Sequence, residues 1–490
     1  MTRGLISCAL SNSVGRLSHR YAIFALVLLT GCTRFQSRPI LPAQTAATLD
    51  ARTLDDPAFR AFLEKNLGRK LDVWPLPAWD FETLTLAAWY YHPSLDVARA
   101  EWQAAQGGIT TAAGRPNPTV SVTPGYDAQI PDTPSPWIVP VTFDVPIETA
   151  GKRRRRIEQA RSLSESARLN IATTAWQVRS NLRASLIDFA AASQRERILR
   201  DQLDARDKIV HLLEQQLQAG AVSAADLSQA RLALAQLKLD FADARQQAAD
   251  ARVRVADAVG VSARALEGVD LAYDLSAIPA EASALTTTEL REQALTNRAD
   301  VLGALADYAA SQSALQLEIA RQFPDLHLGP GYSWNSGSSG DNEWELGLTV
   351  ELPVLNQNQG PIAEAEARRA VAAANFNALQ AKVITDVDRA VAVWQVAREN
   401  VVTFEALATA QQKQSDAVAA QARAGAADQV DLLDAQIELG AGELAQLDGR
   451  VKLQQAFGAL EDAVQRPLAG MRASVIEQSP RPQAMTQNQP

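Results

Sequence analysis

Pro118-Thr-Val-Ser-Val-Thr-Pro124-Gly125-Tyr126 returns as Pro324-Asp-Leu-His-Leu-Gly-Pro330-Gly331-Tyr332, 206 residues later. Val141-Thr-Phe-Asp-Val-Pro146-Ile147 matches Leu348-Thr-Val-Glu-Leu-Pro353-Val354, 207 residues on. Ala219-Gly220-Ala221, with Asp226-Leu227 and Ala230, matches Ala424-Gly425-Ala426, with Asp431-Leu432 and Ala435, 205 residues on. Upstream, His92-Pro93-Ser94-Leu95 stands opposite Arg298-Ala299-Asp300-Val301, again 206 residues apart. Landmarks in one order and at nearly one offset identify a duplicated unit, far longer than any solenoid repeat.

Each unit has the same grammar. A helix opens it, over about Phe81–Ala113 behind Asp80 as N-cap, and over about Thr288–Arg321. Two strands follow. Val120 and Val122 alternate with Thr and Ser, and Trp137, Val139, Val141, Phe143 and Val145 share one face. In the second unit Leu326 and Leu328 share a face, as do Trp344, Leu346, Leu348, Val350 and Leu352. A period of two with an apolar face predicts strands. Pro146 and Pro353 are expected to end the second strand of each pair, because proline cannot continue a ladder. Loops at Asp127–Pro136 and Ser333–Asp341 separate the strands.

A very long helix comes next. Lys152 to Ala219 and Ile362 to Ala424 contain neither Pro nor Gly, and Pro361 stands where a helix-opening proline is tolerated. At 1.5 Å per residue each spans roughly 100 Å, a length that suits a coiled coil or tunnel better than a globular domain. Gly220 and Gly425 cap them, and shorter returns follow at about Ala224–Val259 and Asp428–Val464. The predicted fold class is mixed but mainly α: long antiparallel hairpins, four strands per chain and an internal two-fold repeat.

The 490 residues carry a formal charge of −9, which argues against a nucleic-acid partner. Residues 1–31 hold Arg3, Arg16 and Arg20, no acid, and the apolar run Tyr21–Leu29. That run is too short to span a bilayer and has the size of a signal-peptide core. Leu29-Thr30-Gly31-Cys32 resembles a bacterial lipobox, by which Cys32 becomes the lipid-bearing mature N-terminus; an ordinary secretory signal is the alternative. Thr33 leaves outer-membrane delivery open, and a downstream start codon is possible. Losing three arginines takes the mature charge from −9 to −12, and with Cys8 also removed no internal disulfide can form. The organisation reads as signal peptide 1–31, linker or extension 32–79, first repeat 80–285, second repeat 286–466 and a disordered tail 467–490.

A lipobox, followed twice by helix, strand pair, Pro break, long helix, Gly tip and return helix, resembles the TolC-like outer-membrane factor family. The resemblance covers about residues 80–466. The junction Pro146-Ile-Glu-Thr-Ala-Gly-Lys-Arg, Leu54-Asp-Asp-Pro57 and the run Trp74–Asp80 are similar to its heavy-metal efflux branch, the CzcC type. The resemblance implies a homotrimer whose protomers each give four strands to one outer-membrane barrel and their helices to a periplasmic tunnel. It implies a periplasmic adaptor and an inner-membrane resistance–nodulation–division pump as partners. Pooling strands agrees with physics, since four strands alone leave open edges that a bilayer does not tolerate. Tyr126, Trp137, Tyr332, Trp334 and Trp344 suit an interfacial girdle.

The same resemblance assigns a periplasmic gate to Asp431 and Asp434, six and nine residues after Gly425. The competing reading is a solvated helix face, with Asp428, Asp431 and Asp434 compensating the helix dipole. Where some relatives carry a locking Arg, this chain has Ala427, so another closure is needed. Gly220, Asp226 and Gly425 mark tips that dock the adaptor, or are plain caps. The basic run Lys152–Arg156 sits unfavourably at a helix N-terminus and calls for a compensating contact, either acidic lipid head groups or partner helices, unless it is a solvated charged face. His19, His92, His211 and His327 do not cluster, and no metal-ligand spacing, nucleophile triad or phosphate loop presents itself. The expected function is a passive exit duct, without enzyme activity or cofactor beyond covalent lipid on Cys32, for heavy-metal cations. The alternatives are the same fold exporting drugs or polypeptides, and a non-channel coiled-coil adaptor or spacer lipoprotein.

Overall fold

Two long-helix hairpins and one sheet make up most of the protein. The computed structural model describes residues 35–126, 137–277, 286–335 and 342–468. The leader, Cys32, residues 127–136 and 336–341 of the strand loops, and the chain beyond 468 lie outside the described residues. A first unit ends at Leu49. Its described part holds most of α1 (Pro42–Asp50), in which no residue is buried. The rest concerns the second unit, from Asp50 onward.

α2 (Pro57–Leu67) starts at Asp56, whose carboxylate accepts the Ala58 N–H at 2.7 Å. It buries Phe59 and Leu63 completely, against Trp79 and a core that includes Leu84, Leu182, Leu186 and Val255. The segment read as linker or extension therefore contributes to the core. Trp79 bridges to Leu271 and locks its backbone to Asp270 and Ala272, both at 2.9 Å.

The opening helix of each unit is broken, where the sequence predicts one continuous helix. α3 (Phe81–Tyr91) stops at His92, which is extended at φ −69°, ψ 124°, and α4 (Pro93–Ala113) begins on the proline. Proline disfavours the α conformation in the residue before it. In the second unit α7 (Thr287–Asn297) and α8 (Ala299–Ala320) flank Arg298 at φ −64°, ψ 130°. No proline follows Arg298. Its buried guanidinium instead reaches Asp300 at 2.6 and 3.0 Å and the Ala463 carbonyl at 2.7 Å.

The strands are β1 (Thr119–Val122), β2 (Gly125–Tyr126), β3 (Trp137–Ile147), β4 (Leu326–Asn335) and β5 (Asn342–Val350). They form one antiparallel sheet in the order β1-β3-β4-β5, with β2 continuing the line of β1 along β3. The two units thus meet through β3 and β4. Pro146 does not end its strand: it lies inside β3 opposite His327, and β3 stops at Ile147. β5 stops at Val350, before Pro353 is reached. The β3–β4 ladder lapses opposite Gly329 and Pro330 and resumes at Val145 and Leu328, because Pro330 has no N–H to give.

Register sorts the sheet into two faces. Val120, Val122, Tyr126, Trp137, Val139, Val141, Phe143, Val145, Leu326, Leu328, Tyr332, Trp334, Trp344, Leu346 and Leu348 share one. Many stay open to solvent, Trp344 at 83 % and Leu346 at 71 %. At one end Tyr126 meets Trp137 and Tyr332 meets Trp344, with ring centroids 5.3 and 4.8 Å apart. The other face carries Ser121, Thr142, Asp144, His327, Glu343, Glu345 and Thr349.

α5 (Lys152–Gln218) pairs with α6 (Ala224–Val259), and α9 (Gln359–Arg423) with α10 (Gln429–Val464). The cationic start of α5 finds its compensation inside the protein. Lys152, only 8 % exposed, binds Asp325 at 2.8 Å. Arg153 donates to the Ala113 carbonyl at 2.8 Å, and Arg156 to those of Ala112 and Gly114 at 3.0 Å. Two arginines thus cover the carbonyl end of α4, where positive charge is favoured. Among the described residues no helix is long and apolar enough to cross a membrane.

Candidate functional site at the hairpin tips and their seam

Both tips are built alike. Gly220 and Gly425 take left-handed backbone, φ +75° and +76°, which a side chain would strain. Gly220 N–H donates to Leu217 at 3.0 Å and Ala221 N–H to Gln216 at 2.8 Å. Gly425 and Ala426 repeat this with Ala422 and Gln421, at 3.1 and 2.9 Å. These bonds satisfy the last carbonyls of α5 and α9.

Reciprocal caps open the return helices. Ser223 Oγ accepts the Asp226 N–H at 3.2 Å, and Asp226 accepts the Ser223 N–H at 3.1 Å. Asp428 accepts the Asp431 N–H at 2.8 Å, and Asp431 accepts the Asp428 N–H at 2.9 Å. Asp226 and Asp431 are therefore equivalent residues of two capping boxes. The Ser223 hydroxyl and amide hold the Asp226 carboxyl below its ordinary range. Asp431 has the helix-start contact that the dipole reading assigns to it.

Asp434 does something different. Its Oδ1 accepts from Arg206 Nη1 of α5 at 3.2 Å, so the second acid ties the two hairpins together. Ile209 and Ala205 pack against Leu433 beside it. The contact continues along the helices. Gln202 donates to the Ile437 carbonyl at 3.0 Å, and Arg195 pairs with Asp448. Trp176 and Ser180 donate to Asp462 at 2.9 and 2.5 Å. Arg179 and Arg183 both reach Glu461 Oε2 at 2.9 Å, with all three side chains at most 4 % exposed. The seam is thus open at the tip and buried at its far end. Burial works against the charge of Arg179, which Glu461 counters, and pushes the neighbouring Tyr273 hydroxyl up to about 12.

Glycines let α10 approach both neighbours. A Cβ on Gly440 would stand 2.7 Å from the Gln202 amide, and one on Gly449 would stand 2.4 Å from the Phe404 ring. The sequence singles out Gly220, Asp226, Gly425, Asp431 and Asp434 but not the seam residues Arg206, Arg179, Arg183 and Glu461. Their only linear signal is charge on long helices, and partners there depend on a helix–helix register that no local motif encodes.

The three histidines among the described residues stay apart. His92 Nδ1 accepts the Ser94 N–H at 3.3 Å, His211 lies near Glu214 at 3.9 Å, and His327 lies beside Asp144. No group of three or more His, Cys, Asp or Glu placed to hold a metal occurs among the described residues.

The family profile described as "Outer membrane efflux protein" matches residues 88–261 and 290–464, one match in each half. The cobalt-zinc-cadmium resistance protein CzcC of Cupriavidus metallidurans is 24 % identical over 268 residues, covering 54 % of this chain and 61 % of CzcC. The pyoverdine export outer membrane protein OpmQ of Pseudomonas aeruginosa is 24 % identical over 213 residues, covering 43 % of this chain and 44 % of OpmQ. The chain thus spans less than two thirds of either curated relative. In fold it is similar to the outer membrane protein VceC of Vibrio cholerae, with a TM-score of 0.64 at 18 % identity over 79 % of this chain and 97 % of VceC. These relatives are a metal resistance protein, an export outer membrane protein and an outer membrane protein, not enzymes. With the profile matched in both halves and a mainly helical, TolC-like fold, the chain belongs to the outer membrane efflux protein family, with CzcC-like branch character.

Proposed function

We propose that the protein is the outer-membrane duct of a tripartite efflux system: a passive homotrimer joined through a periplasmic adaptor to a proton-driven inner-membrane resistance–nodulation–division pump. The observation that carries this reading is the sheet. It has one apolar, solvent-open face, and its outer strands β1 and β5 each lack a partner on one side. Pairing β5 of one protomer with β1 of the next closes the sheet, removes every edge and turns the apolar face to lipid. Lipid on Cys32 would tether the mature chain to the same membrane. The tips at Gly220, Asp226 and Gly425 are the adaptor-contacting surface. Asp431 and Asp434 form the periplasmic gate, and the Asp434–Arg206 pair supplies the closure that Ala427 cannot.

Heavy-metal cations are the proposed cargo. The likeness to CzcC supports this, as do the acidic residues Asp431, Asp434, Glu438 and Glu443 on the exposed side of α10. The likeness to OpmQ favours a second reading, in which an organic chelate or drug leaves by the same duct. Single-channel recording of the full-length protein in a planar bilayer, with native mass on the same sample, tests the proposal. A trimer with small, cation-preferring conductance supports it. A folded sample that neither inserts nor trimerises overturns it in favour of a spacer or adaptor. Replacing Asp431 and Asp434 together by Ala should weaken cation selectivity or divalent block, and unchanged values would remove the gate assignment.

A further inference from the structure

The four long helices lie in the order α6-α5-α10-α9, since α5 packs on both α6 and α10, and α10 packs on α9. α6 and α9 are therefore edges, as β1 and β5 are in the sheet. α6 turns Leu227, Ala230 and Leu234 to α5, and α9 turns Val387, Trp394 and Val401 to α7 and α10. Their other sides hold large apolar residues in the open. Leu232 and Leu239 of α6 are 72 % and 62 % exposed, and Val396 and Leu407 of α9 are 55 % and 45 % exposed.

The duplication says where these four residues stand. A shift of 205 residues makes α9 the equivalent of α5, and α6 the equivalent of α10. Leu407 then takes the place of Gln202, Leu232 that of Ile437, Val396 that of Ala191 and Leu239 that of Leu444. In the seam between the hairpins Gln202 donates to the Ile437 carbonyl at 3.0 Å, and Ala191 and Leu444 pack against one apolar cluster with Ile198 and Leu447. The exposed residues of α9 and α6 thus repeat a contact that one chain cannot make with itself, because α5 and α10 stand between them. Only the charge differs. Arg195 and Asp448 become Asn400 and Asp243, and Arg206 and Asp434 become Gln411 and Gln229. Neither transposed couple holds a cation, so neither can form an ion pair.

We propose that α9 of one copy packs on α6 of the next in the register that α5 keeps with α10. Leu407 meets Leu232 and Val396 lies beside Leu239, so the seam between copies is apolar where the seam within each copy is ionic. The two edges are different surfaces. The contact is therefore head-to-tail, and such contacts close into a ring when the rotation allows. Burying the four side chains takes from water an apolar surface that a single chain leaves exposed. Salt weakens the Arg206–Asp434 tie within each copy more than it weakens the junction between copies. The seam rests on the homotrimeric duct reading above, to which it adds the residues of the helical junction.

The test is thiol cross-linking of the full-length protein, purified in detergent, as Leu232→Cys with Leu407→Cys. A bis-maleimide reaching about 8–10 Å, the spacing of packed helices, should shift most chains from the monomer band to dimer and trimer bands under denaturing conditions. Wild type, which shows any contribution from Cys32, should stay at the monomer band. So should Leu232→Cys with Ala378→Cys, since Ala378 lies 29 residues before Leu407 on α9, about 44 Å away. Native mass should remain that of the trimer from about 0.1 to 1 M KCl. Trimers by native mass in which the Leu232–Leu407 couple gives no more cross-linked product than the Ala378 control overturn the seam and leave the duct intact. Loss of the trimer at high salt overturns the apolar character of the seam. A native mass of one chain in every form and at every salt concentration overturns the duct reading instead.

Discussion

Arg206 of the first repeat and Asp434 of the second meet at 3.2 Å, joining the two hairpins close to their tips. Their side chains are 23 % and 52 % exposed, so the pair is screened and weak. A weak tie is what a reversible closure needs. Arg206→Ala and Asp434→Ala should each raise the fraction of time the channel is open. The double variant should add little, with a coupling of about 0.2–1 kcal/mol that shrinks in high salt. Strict additivity in bilayer recordings would remove the pair from the gate.

The far end of the seam should behave oppositely. Glu461 balances Arg179 and Arg183 in a site closed to water and also accepts the Leu468 N–H at 2.7 Å. Glu461→Ala leaves Arg179 without its hydrogen-bonded acid and Arg183 with only Asp462, 3.8 Å away, at a cost of about 3–5 kcal/mol. Thermal unfolding of the purified protein should show the loss. A change as small as that of Asp448→Ala would contradict the burial argument.

Gly449 faces the Phe404 ring, 2.4 Å from where its Cβ would stand. Gly449→Ala should destabilise the α9–α10 hairpin by about 1–3 kcal/mol through overpacking, despite the better helix propensity of alanine. Phe404→Leu should relieve much of that penalty. If the alanine variant alone is as stable as wild type, the close approach is not maintained in solution.

The sheet–helix junction should have an acid limit. Burial raises the Asp325 carboxyl, but Lys152 and the Thr149 N–H outweigh it and hold the group below its ordinary 3.8. A folded-state value lowered in this way adds stability above the unfolded value, and that stability is lost as pH falls through the folded one. Protease accessibility around Thr149 should therefore rise only below about pH 3.8. Lys152→Ala should raise it already at neutral pH.

Cys32→Ser should abolish incorporation of labelled fatty acid in cells. Label retained on that variant would refute the lipobox reading.

Much of the fold could be read locally. Unbroken runs without Pro or Gly marked α5 and α9, Gly220 and Gly425 marked their ends, and alternation marked the apolar face of β3 and β5. Local rules went astray where the rest of the protein overrides them. Arg298 breaks a helix without a proline because Asp300 and Ala463 hold its guanidinium. Pro146 stays within a strand because only one position remains to be paired beyond it. At the candidate site, Asp431 could be placed by its distance from Asp428, since a capping box is a local motif. Arg206 could not be matched to Asp434, because their meeting depends on how α5 and α10 are offset along their axes.

The seam also records how the two halves have diverged. Counted from the tip glycines, 205 residues apart, Asp434 corresponds to Gln229 and Glu461 to Ala256, while Arg206 corresponds to Gln411. Each half has kept the charge that the other lacks. Two copies of the first half would present arginines without acids, and two copies of the second acids without those arginines. What began as duplication has become complementation: halves expressed as separate chains should recombine one with the other, and neither should substitute for its sibling.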